Sequence, residues 1–327
     1  MDGLIALVIG LVGSLILTPI VWRVALALDI VDRPGELKPQ RVPIAYLGGV
    51  AVALAAASGP VLAGQALVLI PMSAALTLGL ADDLRPLAVP LRIVVELAIA
   101  SVSAFVVPGP PLARVATAVL VLGLLNAVNL LDGQDGLAAG AGVVIGASFA
   151  VLGGAAAPVG LGLAGALLGF LVLNRPPARI YLGDAGAYFV GTTAALLPAL
   201  CLSSGTRWSI WWAVPLLVAV PVSDTAIAIL RRLRARRPLL SGDRSHVYDQ
   251  LVDRGMTIRQ STLVCVASQI VLSGIGLVAV QAAPTVALLT TFACATVIAG
   301  LAWRLGFIEP TSEIGRASCR ERVCYAV

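Results

Sequence analysis

Charged residues are scarce in this chain. Asp, Glu, Lys and Arg together make up only 12% of its 327 residues, while 59% are hydrophobic and the mean hydropathy is +0.99. Soluble domains average roughly 25% charged and 45–50% apolar residues. The shortage of charge therefore excludes an ordinary soluble domain and predicts an all-α, polytopic integral membrane protein.

Cysteine is also scarce. The five cysteines show no metal-ligand spacing and three lie in apolar runs, so neither a disulfide framework nor a thiolate metal site is predicted. The net charge of +5 suits the orientation of a membrane protein, and no nucleic-acid partner is predicted from it. The start, Met1-Asp2-Gly3, lacks the basic region of a signal peptide, so the first apolar run is expected to stay as a membrane span.

Long apolar runs, by contrast, fill most of the chain. About 20 apolar residues are needed to cross the hydrocarbon core as a helix. About eleven segments are candidates, with boundaries good to a few residues. They are roughly 3–28, 44–62, 64–80, 90–107, 114–131, 137–154, 158–173, 185–204, 208–230, 261–281 and 283–303.

The basic residues of the loops fall on alternate sides of these segments. With Met1 outside, the outside loops contain little beyond Arg114 and Arg207. The inside loops contain Arg33, Lys38, Arg41, Arg85, Arg92, Arg175, Arg179 and the cluster from Arg231 to Arg259. The positive-inside rule then predicts the N-terminus outside and the C-terminus in the cytoplasm. The same count places nearly all the acidic residues at the membrane edge on the cytoplasmic face, which indicates one shared site.

The densest polar stretch runs from Asn126 to Leu137 and reads Asn-Ala-Val-Asn-Leu-Leu-Asp-Gly-Gln-Asp-Gly-Leu between two apolar runs. Ionisable groups at a membrane boundary are costly and tend to be retained for function. The candidate site residues here are Asn126, Asn129, Asp132 and Asp135. The alternative is a polar loop whose asparagines cap a helix end.

Two other acidic stretches lie on the same face. Asp82 and Asp83 are adjacent carboxylates at the end of a predicted helix, and they repel each other unless a cation or a proton intervenes. Mg²⁺ bound together with substrate phosphates would relieve this repulsion, whereas neutralisation by Arg85 and Arg92 is the alternative. Asp184 stands at the predicted start of a helix, either as an N-cap or as a metal ligand beside a phosphate.

Basic loops on this face are candidates for phosphate contacts. Loop one contains Lys38 and Arg41, although a plain positive-inside loop would look the same. Arg179 precedes Asp184, and the last large loop contains Arg244 and the single histidine, His246. A lone histidine is usually structural, but the basic setting of this one beside the membrane suits contact with phosphate.

These stretches, in this order, resemble the polyprenyl-phosphate N-acetylhexosamine-1-phosphate transferase family, the membrane enzymes of glycosyltransferase family 4. The matching elements are Asp82-Asp83, Asn126-x-x-Asn129-x-x-Asp132-Gly133-x-Asp135-Gly136-Leu137, Gly183-Asp184-x-Gly186, the histidine loop and Pro43-x-x-x-x-Gly48-Gly49. The second element is highly specific, and the others are individually weak. The resemblance covers a single predicted domain, 1–305, whereas 306–327 is expected to be a disordered or artefactual tail.

The resemblance implies transfer of a sugar 1-phosphate from a UDP-N-acetylhexosamine to undecaprenyl or decaprenyl phosphate, with UMP as the second product. It implies Mg²⁺ as cofactor, with Mn²⁺ as a substitute, a multi-pass location in the bacterial inner (plasma) membrane and a homodimer. The branch that uses UDP-MurNAc-pentapeptide has a run of histidines in the last large loop. This chain has one histidine, which favours the branch that commonly uses UDP-GlcNAc and leaves the pentapeptide branch as the alternative.

The resemblance also implies roles for the candidate residues. Asp184 would bind Mg²⁺, with Asp83 supporting the metal or the lipid phosphate, and Asp82 would deprotonate or orient that phosphate. Asn129, Asp132 and Asp135 would hold the uridine or the sugar, or complete the metal shell, and His246 and Arg244 would contact the diphosphate or the sugar. The other substrate-binding candidates are Asn126, Lys38, Arg41 and Arg179. There are two rival classes. A secondary transporter would place polar residues near the bilayer midplane and often shows internal repeats. A binding or scaffold protein of the membrane would not need four acidic stretches on one side.

Overall fold

The computed structural model describes residues 1–33, 43–236, 238 and 245–309. Lys38, Arg41, Arg244 and residues 310–327 of the predicted tail lie outside these residues. The prediction of a disordered tail from residue 306 is wrong for its first residues, because Phe307 and Ile308 are buried and the Phe307 carbonyl accepts a hydrogen bond from Gln250. Within the described residues the regular secondary structure is helical apart from one pair of two-residue strands, in agreement with the all-α prediction.

Apolar segments rich in alanine, leucine and glycine form the helices. Their bounds are α1 Asp2–Ala27, α2 Gly48–Ala56, α3 Ser58–Leu62, α4 Leu69–Leu84, α5 Val89–Val106, α6 Pro111–Leu131, α7 Leu137–Val151, α8 Ala156–Asn174, α9 Gly183–Ser203, α10 Ile210–Leu217, α11 Ala219–Arg234, α12 Val247–Asp253, α13 Ile258–Gln281 and α14 Pro284–Arg304. Proline stands in the first turn of α5, α6 and α14, where the missing N–H has no helical partner to lose. These prolines help to set where the three helices begin.

Every segment predicted as a membrane span contains helix, but the segments differ in length. In the described part of the chain, eight helices are long and apolar enough to cross a membrane, and the bent pair α10–α11 would make nine. The two remaining predicted spans correspond to the shorter apolar helices Gly48–Leu62 and Leu137–Val151. The protein is therefore a polytopic helical membrane protein, while the count of eleven spans and the N-outside orientation stay predictions.

Helix α9 lies at the centre of the bundle. Of its most apolar 18 residues 94% are buried, against 22% for α1 and 11% for α14. Glycines allow α4 and α6 to approach it closely: a Cβ at Gly79 would come within 2.3 Å of the Asp184 carbonyl oxygen, and one at Gly191 within 2.4 Å of that of Leu124. The C-terminal ends of α4 and α6 consequently meet the N-terminus of α9.

A short strand pair fixes the loop before α9. β1, Val31–Asp32, pairs antiparallel with β2, Ile44–Ala45, and Ala45 also bridges to Ile180. The backbone N–H of Tyr181 donates to the Ala45 carbonyl at 2.9 Å. Because these bonds join the first loop of the chain to the segment leading into Gly183, they hold the start of α9 against the rest of the bundle.

Helices α10 and α11 meet at a break of 77°. Such a break leaves backbone groups without helical partners, and buried groups of this kind require others. Gln269 of α13 supplies them: its Oε1 accepts from the N–H of Val220 at 2.9 Å, and its Nε2 donates to the Leu217 carbonyl at 3.0 Å. The break turns α11, which contains Asp224, away from the direction of α10.

Candidate active site

The predicted acidic stretches meet at one end of the bundle. Asp83 from α4, Asn129 from α6 and Asp184 from α9 are joined by direct hydrogen bonds, although 55 residues separate Asn129 from Asp184 and 101 separate Asp83 from Asp184. The Asn129 amide donates to Asp184 Oδ1 at 2.6 Å. The three predicted acidic stretches are therefore in contact where α4, α6 and α9 meet, while their role as one shared functional site stays a prediction.

Asp83 binds the N-terminus of α9 through both of its oxygens. Its Oδ1 accepts from the N–H of Asp184 at 2.9 Å, and its Oδ2 accepts from that of Ala185 at 3.0 Å. Helix N-termini carry unpaired N–H groups and a partial positive charge, both of which favour a carboxylate. The residue before them, Gly183, has φ +73°, and a Cβ there would lie 2.7 Å from Asp83 Oδ2, so glycine is required for this approach.

Asp82 points toward α5 as well as toward Asp184. Its Oδ1 accepts from the N–H of Leu87 at 2.7 Å, and its Oδ2 accepts from the Arg92 guanidinium at 3.2 Å. Its carboxyl group also lies close enough to that of Asp184 to interact directly. Of the two arginines that could neutralise the adjacent aspartates, Arg92 donates to Asp82, whereas the side chain of Arg85 is exposed.

Asp132 stands just beyond the end of α6 and faces the other carboxylates. Burial raises its pKa well above the usual value, and the nearby negative charges of Asp184 and Asp83 raise it further. The backbone N–H of Gly183 donates to it and opposes this shift. Such crowding of carboxylates favours binding of a cation or a proton between them.

Asp135 joins the loop after α6 to the loop after α8. Its Oδ2 accepts from the N–H of Ala178 at 2.9 Å, and burial raises its pKa. Asn174 joins the same loops: its Oδ1 accepts from the N–H of Gly136 at 3.1 Å, and its Nδ2 donates to the Ile180 carbonyl at 2.9 Å. Both side chains hold the loop that carries Asp132 in place.

The donor set of this cluster suits a hard cation such as Mg²⁺. Among the described residues, no group of three or more His, Cys, Asp or Glu side chains is placed so that it could hold a metal ion. Mg²⁺ does not need such a group, because it is commonly bound by one or two carboxylates together with substrate phosphates and water. Asp184 fits such a role because Asp82 and Asp132 both lie near it, so their negative charges converge at its carboxyl group.

His246 lies beyond this cluster but is connected to it. Its ring stacks on Tyr248, with centroids 5.4 Å apart and planes inclined by 6°. The Tyr248 hydroxyl donates to the Leu130 carbonyl at 3.0 Å, near the end of α6. His246 and Tyr248 therefore pack against the end of α6, next to the loop that contains Asp132.

Other predicted site residues lie elsewhere. Asn126 donates to Glu96 Oε2 at 2.8 Å and to the Leu122 carbonyl, so it faces α5 instead of Asp184. Arg179 has an exposed side chain. Lys38, Arg41 and Arg244 lie outside the described residues, and their predicted contacts stay predictions.

Residues that the sequence patterns did not single out also contribute to the site. Glu96, which is 5% exposed, binds Asn126 and lies 3.6 Å from the Arg92 guanidinium. Asp224 binds His246. Both are acidic residues inside apolar runs, a signal that could have identified them. Tyr46 lies near Asp83 and Asp184 but is not marked by any such signal in the sequence. Burial raises its pKa, and neighbouring carboxylates, first that of Asp32, raise it further.

These features define a polytopic helical membrane protein with a carboxylate-rich site where three helices meet. The family model described as Glycosyl transferase family 4 matches residues 65–202, which include the acidic cluster but not His246. The chain is 31% identical over 288 residues to the probable undecaprenyl-phosphate N-acetylglucosaminyl 1-phosphate transferase of Bacillus subtilis (strain 168), covering 80% of each chain. This protein belongs to glycosyl transferase family 4.

Two further relatives match over shorter stretches. The decaprenyl-phosphate N-acetylglucosaminephosphotransferase of Mycolicibacterium smegmatis is 33% identical over 194 residues, covering 52% of this chain and 46% of that protein. A phospho-N-acetylmuramoyl-pentapeptide-transferase of a Synechococcus strain is 45% identical over 106 residues, covering 30% of this chain and 28% of that protein. The similarity to the N-acetylglucosamine-named relatives therefore extends over more of the chain.

Proposed function

We propose that this protein transfers N-acetylglucosamine 1-phosphate from UDP-GlcNAc to a polyprenyl phosphate. The products are polyprenyl-diphosphate-GlcNAc and UMP, and the reaction would begin the synthesis of a surface glycan at the bacterial plasma membrane. The observation that carries the proposal is the junction of Asp82, Asp83, Asn129 and Asp184 where α4, α6 and α9 meet. The 31% identity to the Bacillus subtilis relative over 80% of both chains supports the choice of sugar and lipid.

The reaction joins two anions. An oxygen of the lipid phosphate forms a bond to the β-phosphorus of the nucleotide sugar, and the bond from that phosphorus to the bridging oxygen breaks. UMP leaves with the bridging oxygen and its electron pair. Because both reactants are negatively charged, neutralisation of charge and in-line positioning are the main tasks of the site.

Asp184 is the proposed Mg²⁺ ligand. Its Oδ1 accepts a hydrogen bond from Asn129, and the hydrogen bonds from the N-terminus of α9 to Asp83 fix the backbone on which Asp184 stands. Mg²⁺, when bound, would neutralise the diphosphate and polarise its β-phosphorus. Asp83 is proposed to support this site mainly by holding α9, since backbone N–H groups occupy one position on each of its oxygens.

Asp82 is proposed to orient the lipid phosphate more than to deprotonate it. Both of its oxygens already accept hydrogen bonds, from Leu87 and from Arg92. The second pKa of a phosphate is about 6, so the nucleophilic oxygen is largely ionised at neutral pH without a base. Arg92, 29% exposed and bound to Asp82, offers a positive charge near the phosphate.

The remaining candidates are proposed as substrate contacts. Asn129, Asp132 and Asp135 would hold the uridine or the sugar, and His246 would contact the diphosphate or the sugar. Lys38, Arg41, Arg179 and Arg244 are proposed to contact phosphates, and a homodimer is also proposed. Asn126 is proposed to act indirectly, because its amide is engaged with Glu96.

The test is UMP release by detergent-purified protein with Mg²⁺ and undecaprenyl phosphate. UDP-GlcNAc, UDP-GalNAc and UDP-MurNAc-pentapeptide should be compared under the same conditions, with Asp184→Asn as the inactive variant. We expect release with UDP-GlcNAc and loss of more than about 100-fold in the variant. Release only with the pentapeptide donor would assign the protein to the other branch, and no release from folded protein with any donor would reject the proposed function.

A further inference from the structure

The single histidine of this chain is held by Asp224, an acidic residue outside the acidic cluster. Asp224 lies in α11, shortly after the break between α10 and α11. Its Oδ2 is 2.6 Å from His246 Nδ1, and its Oδ1 accepts from the N–H of Val247 at 2.8 Å. The side chains of Asp224 and His246 are each 5% exposed, so bulk water competes little for this pair.

Further contacts connect His246 to α12 and α6. Its backbone N–H donates to Asp249 Oδ2 at 3.2 Å, and its ring stacks on that of Tyr248. The Tyr248 hydroxyl donates to the Leu130 carbonyl, two residues before Asp132. The imidazole is therefore held by α11 on one side and, through Tyr248, packed against the end of α6 on the other.

We propose that Asp224 is a positioning residue for the transfer reaction. It fixes the orientation of His246 and keeps the proton of the neutral imidazole on Nδ1. This inference rests on the proposed function, in which His246 contacts the diphosphate or the sugar. The hydrogen bond at Nδ1 decides the proton state of Nε2, and so decides whether that nitrogen accepts or donates when the ring is neutral. The ionisable groups around the pair include Asp249 and Asp253 of α12 and Cys265 of α13.

The two hydrogen bonds of Asp224 determine what the substitution Asp224→Asn would do. The N–H of Val247 requires an oxygen, so the amide oxygen of the new side chain would take the place of Oδ1. Its NH₂ would then face His246 Nδ1 and donate to it. The imidazole would have to accept at Nδ1 and would place its proton on Nε2, the opposite tautomer. The substitution changes hydrogen-bond direction with almost no change in shape.

The first experiment reads the tautomer directly. Because the chain contains one histidine, protein labelled with ¹⁵N-histidine and purified through a tag without histidine gives the ring signals of His246 alone. At a pH where the ring is neutral, we expect the Nδ1–H tautomer in the wild type and the Nε2–H tautomer in Asp224→Asn. Asp249→Asn, which alters the other carboxylate beside His246, should keep the wild-type tautomer. An Nε2–H tautomer in the wild type would overturn the proposal, and this result does not depend on whether Asp224→Asn folds.

The second experiment asks whether Asp224 acts through His246. Asp224→Asn should lower kcat for UMP release at least about tenfold, with a smaller effect on KM and with the melting temperature close to wild type. In a His246→Gln background the same substitution should lower kcat less than about threefold, because its target is gone. Independent, multiplicative effects would overturn the positioning role. If Asp224→Asn switches the tautomer but the folded wild-type protein has no transferase activity, the proposed function is rejected. The conclusion that Asp224 sets the tautomer of His246 would then still hold.

Discussion

The carboxylate of Asp83 accepts two backbone N–H groups in the first turn of α9, and Asp184 is one of the two residues that donate them. The two distances are 2.9 Å to the N–H of Asp184 and 3.0 Å to that of Ala185. One acidic residue thus fixes the backbone that presents the proposed metal ligand. The adjacent aspartates at the end of α4 therefore have different partners: Asp83 accepts from the backbone of α9, and Asp82 accepts from the Arg92 guanidinium.

Asp83→Asn should destabilise the protein and lower its activity. An asparagine has one acceptor oxygen, so one of the two N–H groups would lose its partner at a cost of about 1–3 kcal/mol. We expect a lower melting temperature in detergent and slower UMP release. Asp29→Asn is the matched control, since Asp29 is exposed and its ion pair with Arg33 is exposed as well. Equal melting temperatures for both variants would contradict the role of Asp83 as the cap of α9.

Glu96 and Asn126 should be energetically coupled. Glu96 accepts from the Asn126 amide at 2.8 Å and lies beside Arg92, so Glu96→Ala would leave both without this partner. We expect a loss of about 1–3 kcal/mol for the alanine variant and less for Glu96→Gln, which still accepts from Asn126. The double variant with Asn126→Ala should lose less than the sum of the single losses when thermal unfolding is measured. Additive losses would show that the bond contributes nothing.

Gly133→Ala should lower activity more than stability. A Cβ at Gly133 would lie 2.1 Å from the Tyr248 hydroxyl, which would have to move away from the Leu130 carbonyl and shift the ring stacked on His246. Displacements of about 1 Å in a site can reduce turnover by up to about 100-fold. Gly123→Ala is the control, because no atom lies within 4 Å of its added Cβ. Unchanged turnover in Gly133→Ala would separate His246 from the reaction.

The raised pKa of Asp249 predicts that the stability of the protein depends on pH. Burial raises the pKa of this carboxyl from 3.8 to about 6, while His246 opposes the shift. The native state therefore binds the proton more tightly than the unfolded state, and stability falls as the pH rises from about 4 through about 6. Asp249→Asn is neutral at every pH, so its melting temperature relative to the wild type should increase across this window. A constant difference between the two proteins would contradict the raised pKa.

Much of the architecture could be predicted from the sequence because apolar runs and polar interruptions are local signals. The helices fall where hydropathy places them, and the polar stretches that interrupt them meet as the resemblance implies. The bend between α10 and α11 has a local signal in Pro221, which has no N–H to donate to the Leu217 carbonyl. The side chain that satisfies the backbone there, Gln269, could not be predicted, because it lies about 50 residues further along the chain. The length of an apolar run alone therefore does not show whether the helix it forms is straight or bent.

Within the site, the sequence identified residues better than it identified their partners. Asn126 and Asn129 belong to one motif, but three residues along a helix rotate a side chain by about 300°, which leaves the two about 60° apart. One consequently faces Glu96 on α5 and the other Asp184 on α9. The contact of Asp83 with the start of α9 could not be predicted, because its partners, the backbone N–H groups of Asp184 and Ala185, carry no side-chain signature in the sequence.

In the proposed reaction the bond that breaks lies between the two phosphates of the donor, and a donor labelled on both sides of the sugar–phosphate linkage shows whether it does. UDP-GlcNAc carrying ³²P in the β-phosphate and ³H in the sugar would be incubated with the protein, Mg²⁺ and undecaprenyl phosphate. The account predicts that both labels enter the lipid fraction in equal amounts while unlabelled UMP is released, and that Asp184→Asn abolishes both. Transfer of ³H without ³²P, with release of labelled UDP, would contradict it.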